Sequence, residues 1–417
     1  MKSTLTLIAA LMLAPLAGLR KKSCPIRMTC CTILLVGPLA LSALGQGKEP
    51  IVTIPDAPPA MFIAVGDLNG DGCADIALVE APPTKPQTST PEFRLHLLYQ
   101  KDGKFVMPAD KTIVLGATMP SGLVVRDFDG DGRNDLAVGL RVERTLSLFL
   151  GSEYFEREHR SRYGNDTGAG GLSTGRVNKT GVLDFLTGAA WRQWQGGDRF
   201  GEAYFAGPER NDNWRSTLAD MDRNGTDDVI FTTYSSAKLD MPSNNRIRIY
   251  FGPFLKMQIL QPADAAQVVT LNSPYMASDK PLLGQVMAGD LNDDSQLDLV
   301  VPAAGQTLVY LQNSPTGFSE NANPTFVIKD ATPLLVTDLN GDKLCDVAFL
   351  PANESSIALW YQQKDKPLTA KSLATCPRIA IPKMTGVVAS GDLGGDGRPE
   401  IIASLNGGGL AIIYLPR

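Results

Sequence analysis

The sequence predicts an all-β fold, a seven-bladed β-propeller of four-stranded blades whose last blade is closed by the N-terminal strand. Three observations predict it. A short Asp/Asn/Gly-rich segment recurs seven times, with starts 44 to 70 residues apart, the spacing of a four-stranded blade with variable loops. Each copy lies between apolar, strand-like runs. The last copy is followed by too little chain for four strands, while Pro50–Ile54 reads as an orphan strand before the first. Pairing the two ends closes the ring and removes exposed sheet edges.

The first copy, GDLNGDGCADIALVE (66–80), places Asp67, Asn69, Asp71 and Asp75 at positions 1, 3, 5 and 9 of a tight loop. Hard oxygen ligands at alternate positions of a Gly-rich turn are what a calcium ion requires. FRLHLLYQKDGKFVM from Phe93 then alternates as a strand and turns at Lys101-Asp102-Gly103, and Thr112–Leu115 supplies a fourth strand. The second copy is the most acidic, with Asp127, Asp129, Asp131 and Asp135. The third is degenerate: Arg176, Asn178, Thr180 and Asp184 take the four positions. An Arg at the first position repels a divalent ion, so this unit is expected to keep the fold and lack the metal.

The fourth copy carries Asp220, Asp222, Asn224 and Asp228, and the fifth Asp290, Asn292, Asp294 and Asp298. The sixth carries Asp338, Asn340, Asp342 and Asp346. In the seventh, Asp392, Asp396 and Glu400 remain and Gly394 replaces the position-3 ligand, which predicts a weaker site. Five Ca2+ sites and a sixth, weaker one at Asp392–Glu400 are therefore expected. A helical calcium loop fits worse, because position 12 of the first loop is Leu78 and the flanks are strand-like.

These repeats resemble the FG-GAP/VCBS repeats of the integrin α-subunit-type calcium-binding β-propeller and of many exported bacterial proteins, over roughly residues 50–417. The resemblance implies that each loop joins the first two strands of a blade and that the carbonyl at position 7 joins the ligand set. Those carbonyls are Cys73, Arg133, Thr226, Gln296, Leu344 and Arg398. Phe251-Gly252-Pro253 and Phe205-Ala206-Gly207-Pro208 echo the family's aromatic-Gly-Pro signature.

Residues 1–45 read as an export segment and 46–417 as the propeller. The former holds Lys2, Arg20, Lys21, Lys22 and Arg27, no acidic residue, and two apolar runs, Leu5–Leu19 and Thr32–Leu44. Ala43-Leu44-Gly45 resembles a signal-peptidase site. The region is long for one signal peptide, which leaves a downstream start or an extra anchor as alternatives. Neither run reaches the roughly 18 to 20 residues that span a bilayer, so no stable membrane span is expected. The expected location is periplasmic, secreted or cell-surface. The mature chain has 34 Lys and Arg against 44 Asp and Glu, a formal charge of −10, which argues against a nucleic-acid partner. Cys73, Cys345 and Cys376 are too few for a disulfide framework, although a Cys345–Cys376 bridge is open.

In a propeller the calcium loops share one face. Four polar insertions, Ala81–Pro91, Tyr154–Gly170, Ser235–Asn245 and Ala263–Pro281, are placed on the other, as ligand-binding loops or as tolerated decoration. Trp191, Trp194, Phe200, Tyr204, Phe205 and Trp214 form the richest aromatic cluster, either a stacking surface or packing between blades. Trp360 reads as core. His96 reads as structural on its strand, and His159 as solvated on a polar loop. Two histidines build no zinc site, and no nucleophile elbow or phosphate-cradling loop is present. The reading is an exported, calcium-braced, non-enzymatic module or scaffold whose partner, a protein or glycan, binds the face opposite the calcium loops. The alternatives are a calcium-dependent carbohydrate-active enzyme, since some polysaccharide lyases have related propellers, and a structural component of the cell surface.

Overall fold

The computed structural model describes residues 51–415 apart from 83–91, 141–144, 163–170, 180–182, 188–189, 197–198, 202–203, 206–212, 235–245, 255–259, 272–284, 304, 313–316, 319–323, 365, 367 and 370–371. Residues 1–45, read from the sequence as an export segment, and the insertion 235–245 lie outside these residues. Within them the chain forms seven antiparallel four-stranded sheets.

The chain opens with β1 (Ile51–Ile54). Blade 1 follows as β2 (Ala60–Gly66), β3 (Asp75–Glu80), β4 (Phe93–Leu98) and β5 (Lys111–Gly116). Blade 2 is β6 (Pro120–Arg126), β7 (Asp135–Leu140), β8 (Thr145–Phe149) and β9 (Glu158–Arg162). Blade 3 is β10 (Leu172–Gly175), β11 (Asp184–Thr187), β12 (Ala190–Gln193) and β13 (Tyr204–Phe205). Blade 4 is β14 (Asn213–Ala219), β15 (Asp228–Tyr234), β16 (Arg246–Tyr250) and β17 (Gln267–Thr270). Blade 5 is β18 (Met287–Gly289), β19 (Asp298–Ala303), β20 (Gln306–Tyr310) and β21 (Phe326–Lys329). Blade 6 is β22 (Ala331–Thr337), β23 (Asp346–Pro351), β24 (Ser356–Trp360) and β25 (Arg378–Ala380). The last strands are β26 (Met384–Gly391), β27 (Glu400–Leu405) and β28 (Leu410–Ile413). Blade 7 has the order β1-β28-β27-β26. Its outer strand is the expected N-terminal one, with Ile51 opposite Ile413 and Ile54 opposite Leu410.

Second and third strands read as near-continuous apolar runs because both faces of every blade are covered. Ile76, Ala77, Leu78 and Val79 of β3 are all fully buried. Neighbouring blades share cores; Leu299 and Leu308 of blade 5 pack with Ile230 and Ile249 of blade 4. Inner strands meet around the axis, with β2 contacting both β6 and β26.

Several expectations change. Tyr154–Gly170 contains β9, the fourth strand of blade 2, so only part of it is loop. Ala263–Pro281 likewise contains β17. His159 is not solvated: it is 2% exposed, because it lies on β9 and faces blade 3. Its Nε2 meets Glu153 Oε2 at 2.7 Å and its ring stands edge-on to Trp194. Trp191 and Trp194 offer no stacking surface, since both are buried between blades, Trp191 against Phe254 and Trp194 against Phe200. The side chains of Tyr204, Phe205 and Trp214 lie outside the described residues. Trp360 is core as read. Cys345 and Cys376 are not joined by a disulfide, so the bridge left open between them is not formed.

Candidate metal loops

Each repeated segment connects the inner strand of its blade to the second strand. Outside blade 3, positions 4 and 6 turn the chain through the left-handed region. Gly70 and Gly72 have φ of 77° and 87°, which glycine adopts without a Cβ clash. In blades 4 and 5 the same turns fall on Arg223 and Asp293, and in blades 5 and 6 on Ser295 and Lys343, all with positive φ. The geometry therefore persists where glycine does not, and the side chains around it must hold it.

Position 1 does much of that holding. Asp67 accepts the N–H of Gly70 on Oδ1 at 2.7 Å and of Gly72 on Oδ2 at 2.8 Å. Asp127, Asp220, Asp290, Asp338 and Asp392 accept the position-6 N–H in the same way at 2.8 to 2.9 Å. Position 5 accepts the position-7 N–H: Asp71 from Cys73, Asp131 from Arg133, Asn224 from Thr226, Asp294 from Gln296, Asp342 from Leu344 and Asp396 from Arg398. Position 3 reaches across to position 5, as when Asn69, Asn292 and Asn340 donate Nδ2 to Asp71, Asp294 and Asp342.

Position 9 behaves differently. Asp75, Asp135, Asp228, Asp298 and Asp346 are fully enclosed. In each, Oδ2 accepts the N–H of the position-2 residue, namely Leu68, Phe128, Met221, Leu291 and Leu339, at 2.7 to 2.8 Å. Oδ1 accepts the N–H just after the third strand, from Gln100, Gly151, Gly252, Gln312 and Gln362. One carboxylate thus fastens three strands of its blade. Glu400 keeps the first of these bonds, to Leu393. Burial pushes these carboxyls up, to about 7 in Asp135, Asp228 and Asp298 and about 6 in Asp75 and Asp346, against the opposing pull of the backbone N–H bonds.

Two loops bring carboxylates together among the described residues. In blade 2, Asp127, Asp129 and Asp135 each offer an oxygen within 4.8 Å of the others, and in blade 4 Asp220, Asp222 and Asp228 do the same. Blades 1, 5 and 6 carry Asn at position 3, so their donor sets hold fewer charges. Oxygen-only donors on a tight loop suit a hard divalent cation. Blade 3 retains the buried Asp184, which bonds Val177 N and Asn178 Nδ2, without the acidic positions 1 and 3.

Two recurring features lie outside the acidic pattern read from the sequence. Position 2 is apolar and buried in every copy, from Leu68 to Leu393. The third strand also ends in a recurring Gln, in LLYQ, VYLQ and LWYQ, at Gln100, Gln312 and Gln362. Gln100 Nε2 donates to Leu393 O of blade 7 and Gln312 Nε2 to Met221 O of blade 4. Asn134 Nδ2 makes the matching link to Asp67 O. These amides join the loops of neighbouring blades, and the repeated Gln was their signal. The histidines serve structure: His96 lies between Thr112 Oγ1 and Glu80 Oε2, each at 3.1 Å. No helix of the described residues is long and apolar enough to cross a membrane.

Residues 338–403, the sixth loop through β27, match the family model of the FG-GAP-like repeat. A comparison with curated proteins finds no match.

Proposed function

The chain is an FG-GAP repeat protein, and we propose that it acts as a non-enzymatic binding module whose loops take Ca2+ and whose partner is a protein or glycan. Propellers of this kind commonly mediate protein interactions, and that coarser role is what the fold supports. The observation that carries the calcium reading is the convergence of Asp127, Asp129 and Asp135 within 4.8 Å. Three carboxylates so close repel one another, and a divalent cation offsets that repulsion. The ions would brace the loops rather than react. The partner is proposed to bind the opposite face, outside the cell.

Calorimetric titration of Ca2+ into chelator-stripped residues 46–417, with melting followed in parallel, tests the reading. Five or six ions and a large rise in Tm are expected, since binding to the folded state alone stabilises by mass action. No binding and an unchanged melt would make the loops self-bonded Asx turns. The partner is sought by capture on the calcium-loaded protein, with loop variants of the opposite face as the control.

A further inference from the structure

Blade 5 has an unusually short inner strand. β18 spans three residues, whereas the inner strands on either side, β14 and β22, span seven each. A cavity of about 580 Å³ lies among the inner strands of blades 4, 5 and 6. Leu218, Val286, Met287, Ala288, Leu334 and Leu335 lie in its wall, and no charged residue lines it. Two of its polar side chains, Thr217 and Gln285, bond within the chain. Thr217 Oγ1 donates to Val286 O at 2.6 Å, and Gln285 Nε2 reaches Ser173 Oγ and Ser216 O at 3.3 and 3.2 Å.

We propose that this cavity binds a neutral, largely apolar small molecule. Ligand sites are typically concave, mainly apolar and about 300 to 1,000 Å³, and this volume falls inside that range. An ion entering here would lose its hydration and meet no countercharge, so the wall selects against charge. Apolar surface gains free energy in proportion to the area it removes from water. Met287, unbranched and polarizable, lets the wall adapt to shape.

The test titrates the full chain with the neutral fluorophore N-phenyl-1-naphthylamine and with the anionic 8-anilinonaphthalene-1-sulfonate. Saturable binding of one neutral probe per chain is expected, at least tenfold tighter than the anion. Ala288→Leu fills the cavity and is expected to weaken the neutral probe tenfold or more. Thr332→Phe fills it from an exposed wall position and serves if Ala288→Leu does not fold. Leu335→Ala enlarges the cavity and is expected to retain binding. Non-saturable binding, equal affinity for the anion, or undiminished binding in a folded filling variant overturns the proposal.

Discussion

The loops of blades 2 and 3 share the fastening of position 2 to position 9 and differ in the residues at positions 1, 3 and 5. Both keep a buried aspartate at position 9, Asp135 and Asp184, and both bond it to the N–H of a buried position-2 residue, Phe128 and Val177. Blade 2 adds Asp127, Asp129 and Asp131, whereas blade 3 has Arg176, Asn178 and Thr180. The blade survives the second set, so the blade itself needs position 9. Positions 1, 3 and 5 are free to vary. A motif that looks like one ligand set in sequence therefore contains a strand fastener at position 9, and on the proposed function a cation cradle shares its carboxylate.

The comparison breaks most sharply at position 9. Asp135→Ala leaves the N–H groups of Phe128 and Gly151 buried without a partner, which is expected to cost about 3 kcal/mol. Asp184→Ala in blade 3 is expected to cost a similar amount, and both losses are to appear in urea melts with or without Ca2+. A loss seen only with Ca2+ would assign position 9 to the ion alone.

Next in size is Asp127→Ala. At a Ca2+ concentration about 100 times Kd, the loss of one site removes about 2.7 kcal/mol. In chelator the same variant loses exposed loop bonds to Gly130 and Gly132, worth about 1 kcal/mol. Calorimetry is expected to count one ion fewer.

Gln312→Ala tests the links between blades. It removes the bond to Met221 O in a fully buried setting and is expected to cost about 1 to 2 kcal/mol, independent of Ca2+, in the same urea melts.

A pH dependence of the metal-free protein is also expected. Burial raises the carboxyls of Asp135, Asp184, Asp228 and Asp298 to about 7, above the usual value near 4 in the unfolded chain. The folded state then holds more protons than the unfolded state between roughly pH 4 and 7, so stability falls as pH rises through that window. Tm in chelator is expected to be higher at pH 5 than at pH 8. Saturating Ca2+, which favours the ionised forms, is expected to shrink or reverse the difference. A Tm that rises with pH in chelator would contradict this.

Much of the architecture was legible in the chain because it is written locally and repeatedly. Position 9 always precedes an apolar second strand, so seven copies count seven blades. The missing outer strand of the last blade pointed to Ile51–Ile54, which pairs with β28. His159 was misread for the opposite reason. Glu158-His159-Arg160 is polar in sequence, yet β9 pairs it with β8 and Trp194 of the next blade covers it. Trp191 and Trp194 are alike: large aromatics suit either a stacking surface or a core, and only the neighbouring blade shows which.

By itself the sequence determined the number of blades, their closure and the loss of acidic residues from positions 1, 3 and 5 of the third loop, since each follows from residue type at a fixed spacing. The tertiary structure alone decided which carboxylates fasten strands, which amides join blades, and where a cavity lies among the inner strands. Those properties depend on residues far apart in the chain, such as Gln100 and Leu393, which meet only when the ring closes and water is excluded between its blades.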